Sequence, residues 1–295
     1  MKPAQFDHHQ PATLDATLDL LERHPEAELI AGNQSLGIVM ANRLATPDHL
    51  IDLGDIDDLD YIEREDDSVR IGAMTTHRAI ERSELLAETV PMLPRSAEQI
   101  AGPSVRNRGT LGGSLAEADP AGNYPTVLLA LDATLHLRSS EGERSVSAEE
   151  FYIAYMFTEL EEAEIIESAS ISLDLFPRGN SGMSFEELKP AAQTWPTVSA
   201  AAAVRLDDPA ASAPTIETAR LALANAADVP LRVEEAEAEL EGEALSEAGL
   251  EAAADVVVDA VNPAEEMHAG REYKTETAGE YAKRALKIAH EEAME

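Results

Sequence analysis

The sequence of 295 residues predicts an α+β fold made of three units. Short apolar runs typical of strands alternate with helical segments in the first half of the chain. A proline- and glycine-rich stretch over 177–182 then interrupts the pattern, as expected for a linker. Beyond it, strand-like runs are followed by helical ones. These changes divide the chain into units of about 1–54, 55–176 and 177–295.

The first unit is predicted to contain a helix, a strand, a second helix and a second strand. The first helix covers 11–24, with Thr13 as its cap and leucines on one face (Leu14, Leu18 and Leu21). A strand from Glu28 to Ala31 follows, then a helix that Ser35 can cap, and a strand over 49–53. In such an arrangement a helix N-terminus can point at a bound phosphate.

The other two units are predicted from similar patterns. In the second, a strand surrounds 69–71, helices cover 75–80, 91–101 and 126–131, and strands cover 134–137 and 165–175. In the third, strands at 184–185, 198–206 and 219–223 precede helices near 230–241, 246–260 and 277–292. The glutamates of 234–243 are interpreted as a solvated helix face.

Two glycine-centred segments are the most informative part of the chain. They are Ala31-Gly32-Asn33-Gln34-Ser35 and Thr110-Leu111-Gly112-Gly113. Consecutive N–H groups in such turns form a concave anion site, and glycine has no Cβ to block the ligand. Two such cradles predict a ligand whose phosphates are held from both sides, as in a dinucleotide. Neither a P-loop lysine nor a Gly-x-Gly-x-x-Gly motif accompanies them.

The charge balance limits the partners. Lys and Arg number 22 against 57 Asp and Glu, which gives a formal net charge of −35. Such a field repels nucleic acid and anionic lipid, so neither is expected as a partner. The even spread of acids indicates a cytosol of high salt, where screening weakens self-repulsion. An ordinary acidic protein from a low-salt organism is the alternative.

The sequence predicts no metal ligand set and no catalytic side chain. Cysteine is absent, which excludes disulfides, thiol nucleophiles and iron–sulfur ligation by this chain. The eight histidines show no ligand spacing; the neighbours His8 and His9 are poorly placed to share an ion, and His77 and His136 are interpreted as ordinary polar residues. No apolar run approaches the ~18 residues that span a bilayer. With no signal peptide in view, a cytoplasmic protein without direct membrane insertion is expected.

Several motifs together carry a family resemblance. They are LIAGNQSLG at 29–37, the segment 42–53, VRNRGTLGGSLA at 105–116, DPAGNYP at 119–125, SFEELKP at 184–190, WPTVS at 195–199, the segment 220–223 and MHAGREY at 267–273. In order and spacing, these motifs resemble the flavoprotein subunit of the carbon monoxide dehydrogenase/xanthine dehydrogenase family. The resemblance extends over essentially the whole chain.

This resemblance implies a fold and a cofactor. The fold is a two-part FAD-binding domain of the PCMH (vanillyl-alcohol-oxidase-like) type, followed by a smaller α+β domain of the CO dehydrogenase flavoprotein type. FAD is the implied cofactor, with its diphosphate between the two cradles. The implied contacts are backbone amides of Gly32 to Ser35 and of Gly112 and Gly113, the Thr110 hydroxyl, and nearby residues (Leu29, Ile30, Ala31, Asn33, Gln34, Leu36, Ile100, Asn123, Ile166, Lys189 and Trp195).

Four of these positions have particular roles by resemblance. Lys189 stands beside the flavin, where its charge would stabilise the reduced anionic ring, and Trp195 lies near the ring. A surface lysine and a packing tryptophan are the alternatives. Asn33 replaces the commoner glycine but tolerates left-handed backbone geometry. Asn123 replaces the usual aspartate at the adenosine end, so it can offer only an amide.

The resemblance also implies an electron-transfer role. A small [2Fe–2S] subunit would reduce the flavin, a large molybdopterin subunit would oxidise the substrate, and an external quinone, NAD or oxygen would accept the electrons. A dimer of heterotrimers is the implied assembly. Two alternatives stay open: a self-contained FAD oxidoreductase on the same fold, and a flavin-free scaffold subunit.

Overall fold

A computed structural model describes residues 2–295 and, within them, three main sheets and one small hairpin. Each main sheet draws its strands from one part of the chain. Strands of residues 7–52 form the first sheet, strands of 62–172 the second and strands of 181–232 the third. The mixed helix and strand content is as predicted from the sequence.

The first sheet is parallel, with strand order β1–β3–β2. Its strands are β1 (Asp7–His9), β2 (Glu28–Ile30) and β3 (His49–Asp52), and its helices are α1 (Leu14–Arg23) and α2 (Leu36–Ala41). The Thr13 hydroxyl accepts a hydrogen bond from the Ala16 amide, so the predicted cap of α1 is confirmed. Leu18 and Leu21 pack against Ile51 in a small core. A 3-10 turn (Asp57–Leu59) follows the sheet.

The second sheet is antiparallel and has the strand order β4–β5–β10–β6–β7. Its strands are β4 (Ile62–Glu65), β5 (Ser68–Gly72), β6 (Thr134–Ser139), β7 (Gly142–Ser147) and β10 (Ile165–Ser172), and the small hairpin consists of β8 (Tyr152–Ala154) and β9 (Phe157–Thr158). The accompanying helices are α3 (His77–Glu81), α4 (Glu84–Thr89), α5 (Met92–Gln99), α6 (Pro103–Arg106), α7 (Leu111–Glu117), α8 (Asn123–Ala130) and α9 (Ala148–Phe151). The largest hydrophobic core lies between this sheet and these helices.

The third sheet is antiparallel, with strands in sequence order: β11 (Ser181–Leu188), β12 (Val198–Leu206), β13 (Ile216–Ala224) and β14 (Leu231–Arg232). Three helices follow it: α10 (Glu234–Ala238), α11 (Glu247–Ala260) and α12 (Arg271–Ala293). Ala201 and Ala203 of β12 belong to the largest core, whereas Ala200 and Ala202 belong to the core under α11 and α12. The sheet is therefore packed on both faces, since side chains alternate along a strand.

The sequence-based elements differ from the structure at sheet edges, at helix ends and in four short helices that were not predicted (α4, α6, α7 and α9). Strands β1, β4 and β7 were not predicted, because they are edge strands and carry mostly polar side chains. The predicted strand over 165–175 ends at Ser172, and the last helix begins at Arg271 instead of 277. One further prediction is wrong, because the Ser35 side chain makes no capping hydrogen bond. The glutamates of 234–243 are exposed as predicted, except Glu237, which is buried and accepts a hydrogen bond from the Leu221 amide at 2.9 Å.

None of the helices in residues 2–295 has both the length and the apolar composition needed to cross a bilayer.

Candidate cofactor site

The first glycine segment forms an open anion cradle. It follows β2 directly, and Gly32 and Asn33 take positive φ angles of 75° and 61°. Within residues 2–295, the backbone N–H groups of Gly32, Asn33, Gln34 and Ser35 donate no hydrogen bond to protein. Consecutive amides without partners in such a turn are suited to a negatively charged group. The predicted tolerance of Asn33 for left-handed backbone geometry is confirmed.

The second glycine segment is built differently. The Leu111 amide donates to the Thr75 carbonyl at 3.0 Å, and the Gly112 amide donates to the Ala73 carbonyl at 2.7 Å. The Gly113 amide donates to the Thr110 hydroxyl at 3.2 Å, which caps α7. The prediction that the Gly112 and Gly113 amides are free for a phosphate is therefore wrong in this structure. The Thr110 hydroxyl keeps its own proton to donate.

The two segments lie against each other. A Cβ on Gly32 would stand 2.0 Å from the Arg108 carbonyl oxygen, just before the second segment. A Cβ on Gly113 would stand 3.1 Å from the Ala31 carbonyl oxygen. The predicted proximity of the two cradles is thus confirmed by direct backbone contact. Glycine is required at residue 32 on two counts, since its φ is positive and there is no room for a side chain.

An acidic pair lies beside the first cradle. Burial raises the pKa of Glu117 at the end of α7; the Ser35 hydroxyl opposes this rise, and the charge of Asp119 adds to it. Burial also raises the pKa of Asp119, against the hydrogen bond from Ala121, and Glu266 adds to that rise. Asp119 was not among the predicted site residues, although it opens the DPAGNYP motif. A half-buried carboxylate there can accept hydrogen bonds from sugar hydroxyls.

The Asn123 side chain forms a hydrogen bond inside the protein. It is buried and donates to the Ser96 carbonyl at 3.0 Å. Asn123 lies close to Glu187, where it opposes the rise in the pKa of that carboxyl caused by burial. The amide therefore links α8 to α5 and lies beside β11.

Lys189 belongs to the same network and is not a surface lysine. Its side chain is only 11% exposed, and its Nζ lies 2.5 Å from Oε1 of Glu187. The ammonium also donates to the Gln99 carbonyl, next to Ile100. Lys189 and Ile100, two of the predicted residues, are therefore neighbours in space.

The remaining predicted residues differ in exposure. Ile30 and Ile166 are buried, and Ile166 packs into the largest core. Leu29 is partly buried in the small core of the first sheet, and Leu36 is half-buried at the start of α2. Trp195 is 57% exposed, so much of its side chain is open to a ligand. Its loop turns back onto Gly102, where a Cβ would stand 3.1 Å from the Gln193 side chain.

These residues fit an FAD diphosphate. The four amides of residues 32–35 have no partner within the described residues, and a hydroxyl donor comes from the neighbouring loop. The close contact between the loops leaves no space for a Cβ at residue 32. A buried lysine lies in the adjoining network, where a cation can interact with a flavin ring.

Comparisons with known proteins agree with this geometry. Residues 4–172 match the family model of the FAD binding domain in molybdopterin dehydrogenase, and residues 183–289 match that of the CO dehydrogenase flavoprotein C-terminal domain. The carbon monoxide dehydrogenase medium chain of Hydrogenophaga pseudoflava is 36% identical over 290 residues, covering 98% of each chain. The nicotine 6-hydroxylase medium subunit of Paenarthrobacter nicotinovorans is 34% identical over 286 residues, covering 97% of this chain and 98% of the relative.

Solved structures give the same result. A structure of carbon monoxide dehydrogenase from Hydrogenophaga pseudoflava superposes with a TM-score of 0.93 at 36% identity, covering 98% of both chains. Quinoline 2-oxidoreductase from Pseudomonas putida 86 superposes with a TM-score of 0.92 at 32% identity, covering both chains completely.

The fold and the paired loops define an FAD-binding subunit of an oxidoreductase. More specifically, the chain belongs to the family of medium, FAD-binding subunits of molybdenum hydroxylases of the carbon monoxide dehydrogenase/xanthine dehydrogenase type.

Proposed function

We propose that this chain is the electron-transfer subunit of a molybdenum hydroxylase complex. It would pass electrons from the iron–sulfur clusters of a partner subunit, through FAD, to an external quinone, NAD or oxygen. FAD supplies the redox chemistry, because it can exchange electrons with clusters and with a two-electron acceptor. The observation that carries the proposal is the row of unpaired amides over Gly32 to Ser35 in a chain whose relatives are named medium chains.

The residues of this chain would bind and orient the cofactor. Amides of Gly32, Asn33, Gln34 and Ser35 would hold the diphosphate, and the Thr110 hydroxyl would donate from the other side. Gly112 and Gly113 would let the second loop pack closely against the first, while their amides keep their hydrogen bonds to Ala73 and Thr110. The remaining contacts proposed are apolar, aromatic or polar side chains around the ring and the adenosine (Leu29, Ile30, Ala31, Leu36, Ile100, Asp119, Asn123, Ile166, Lys189 and Trp195).

The partners would be a small [2Fe–2S] subunit and a large molybdopterin subunit, assembled as a dimer of heterotrimers. The sequence has no cysteine to hold a cluster of its own. The β8–β9 hairpin exposes four large apolar side chains (Ile153, Tyr155, Met156 and Phe157), with Tyr155 62% and Phe157 61% exposed. Contiguous apolar side chains on a surface are typical of one that another protein covers.

The proposed setting is a cytoplasm of high salt, without nucleic acid or membrane contact. The net charge of −35 is the support for high salt, because screening reduces self-repulsion. Within the chain, we propose units of 1–54 and 55–176 that hold FAD together, and a unit of 177–295 that closes over the ring. The three main sheets support this division.

The experiment compares two assembled complexes, one that contains the wild-type chain and one that contains the Gly32→Ala variant. The variant is expected to bind no FAD. With substrate, the iron–sulfur clusters should be reduced in both complexes. Only the wild-type complex should then reduce the external acceptor. Gly242→Ala is the matched control, because Gly242 also has a positive φ (83°) but nothing within 4 Å of its Cβ position.

Two outcomes would contradict the proposal. Undiminished acceptor reduction by the FAD-free complex would show that electrons leave by another route. Substrate oxidation by the isolated chain, free of metal, would favour a self-contained oxidoreductase instead.

A further inference from the structure

Three histidines that are far apart in sequence meet on one face of the first sheet. His9 ends β1, His24 directly follows α1, and His49 begins β3. One ring nitrogen of each lies within 4.8 Å of the corresponding atoms of the other two. Nε2 of His9 and Nδ1 of His49 are 3.2 Å apart. Their sequence spacing gave no indication of this cluster.

The register of the sheet explains the meeting. Asp7 pairs with His49 in the parallel β1–β3 pair, so Asp7, His9 and His49 point to the same face. The chain leaves α1 on that side, where the His24 ring stacks on His49 with centroids 4.0 Å apart. His8 points to the other face, and its Nε2 lies 3.5 Å from Asp52.

The spacing of the nitrogens suits a metal ion. Imidazole nitrogen binds Zn²⁺ at about 2.0–2.1 Å, so two nitrogens on a tetrahedral ion stand about 3.3 Å apart. The His9–His49 separation already matches this value. His24 needs only a side-chain rotation to complete the set, and its position after the helix leaves it half-exposed. The Asp7 carboxylate, 4.0 Å from His49 Nδ1 and largely exposed, is placed to supply a fourth ligand.

We propose that His9, His24 and His49 bind a divalent transition-metal ion of the zinc class, with Asp7 or water as the fourth ligand. Imidazole is a good ligand for such ions. This site is independent of the proposed electron-transfer function.

The location assigns the ion a structural role. It would connect the end of β1, the residue after α1 and the start of β3, and so tie the helix to two short strands of a small sheet. β1 and β3 are neighbouring parallel strands, so the ion would bridge them on one face of the sheet. Binding to the folded chain alone would raise its stability by mass action.

The test uses untagged holoprotein treated with a chelator and then titrated with Co²⁺. We expect one ion per chain, with the visible absorption of a tetrahedral Co²⁺ site, and a higher Tm after Zn²⁺ addition. His24→Ala should weaken Co²⁺ binding more than about tenfold, because losing even an outer partner of a ligand costs about 10–100-fold. His8→Ala, the adjacent histidine on the opposite face, should bind Co²⁺ like the wild type.

FAD absorbance shows that each variant is folded, and it should be the same in all of them. Absence of stoichiometric Co²⁺ binding in the wild type would overturn the proposal. Equal affinity in His24→Ala and wild type would also overturn it. Neither result would affect the electron-transfer proposal, whose readout is acceptor reduction.

Discussion

The Lys189 ammonium lies 2.5 Å from the carboxylate of Glu187, whose side chain is only 4% exposed. Burial raises the pKa of Glu187, whereas Lys189, Asn123 and Ser199 oppose this rise. A buried pair of this kind has little net charge when both partners are ionised. The effect of Lys189 on a nearby flavin therefore depends on whether Glu187 is charged.

Glu187→Gln should raise the midpoint potential of the bound flavin. The substitution leaves the Lys189 charge without its partner, so the reduced anionic ring is stabilised more strongly. A gain of about 1.4 kcal/mol corresponds to about 30 mV for a two-electron couple. Spectroelectrochemical titration measures the shift. Glu186→Gln, the neighbour on the same strand, is the control, and equal potentials in both variants would place Lys189 away from the ring.

Gly32→Ala should abolish FAD binding. The new Cβ would stand 2.0 Å from the Arg108 carbonyl oxygen, and the positive φ of 75° adds strain of about 1–2 kcal/mol. The loops must separate, which misaligns the amides of the first cradle. Flavin absorbance per chain after gel filtration is the measurement. Gly242→Ala carries the same kind of strain in open space and should retain full flavin content; equal flavin content in both variants would contradict the interlocked cradle.

Thr110→Val should weaken both the fold and FAD binding. The substitution removes the hydroxyl oxygen that accepts from the Gly113 amide, and loss of such a helix cap lowers the free energy of unfolding by about 0.5–2 kcal/mol. It also removes the hydroxyl donor proposed for the diphosphate. Thr110→Ser keeps both groups and is the control. Urea unfolding of the flavin-free chain measures the first effect, and FAD titration measures the second. Unchanged affinity with lowered stability would restrict Thr110 to the capping role.

Because His77 resists protonation in the folded chain, the protein should become less stable in mild acid. Burial, with a smaller contribution from the charge of Arg106, lowers the pKa of His77 to about 4 from 6.5. The unfolded chain binds this proton more readily, so the stability is complete above pH 6.5 and is lost as the pH falls towards 4. The loss between pH 7 and 5 is about 2 kcal/mol. Urea unfolding of His77→Gln should show a smaller loss, whereas exposed His268→Gln should behave like the wild type.

High salt should stabilise the chain. With 57 acidic against 22 basic residues, added KCl screens the repulsion that favours unfolding. Each 1 kcal/mol gained raises Tm by roughly 2–4 °C for a chain of this size class. The measurement is calorimetry in 0.2 M and 3 M KCl, between which the Debye length falls from about 7 Å to about 2 Å. Sucrose at the same osmolality controls for exclusion effects, and a Tm that responds equally to both would contradict the charge explanation.

The sequence predicted the longer apolar elements and missed the polar edge strands and several short helices, although α4, α7 and α9 contribute Leu86, Leu115 and Phe151 to the largest core. Apolar runs such as Val198 to Leu206 are visible as strands because both faces are buried. The edge strands β1, β4 and β7 expose polar side chains and give no such signal. Helix ends were hard to predict where the burial of a side chain depends on a distant partner. Lys274 in the first turn of α12 is fully buried, because it pairs with Glu266 at 2.7 Å.

The candidate site was predictable as two loops, but its hydrogen bonds were not. Glycine patterns indicated both segments and their proximity. An amide of these loops is paired only if a carbonyl from another part of the chain lies beside it, as the Ala73 carbonyl does for the Gly112 amide. The meeting of His9, His24 and His49 likewise depends on strand register, which no local spacing reveals.

The alanines of β12 have a consequence for movement. Because Ala201 and Ala203 pack into the largest core and Ala200 and Ala202 pack into the core under α11 and α12, this strand is held on both of its faces. Opening a hinge between the second and third sheets would expose the alanines of the largest core to water, so we expect access for a small acceptor to come from rearrangement of loops.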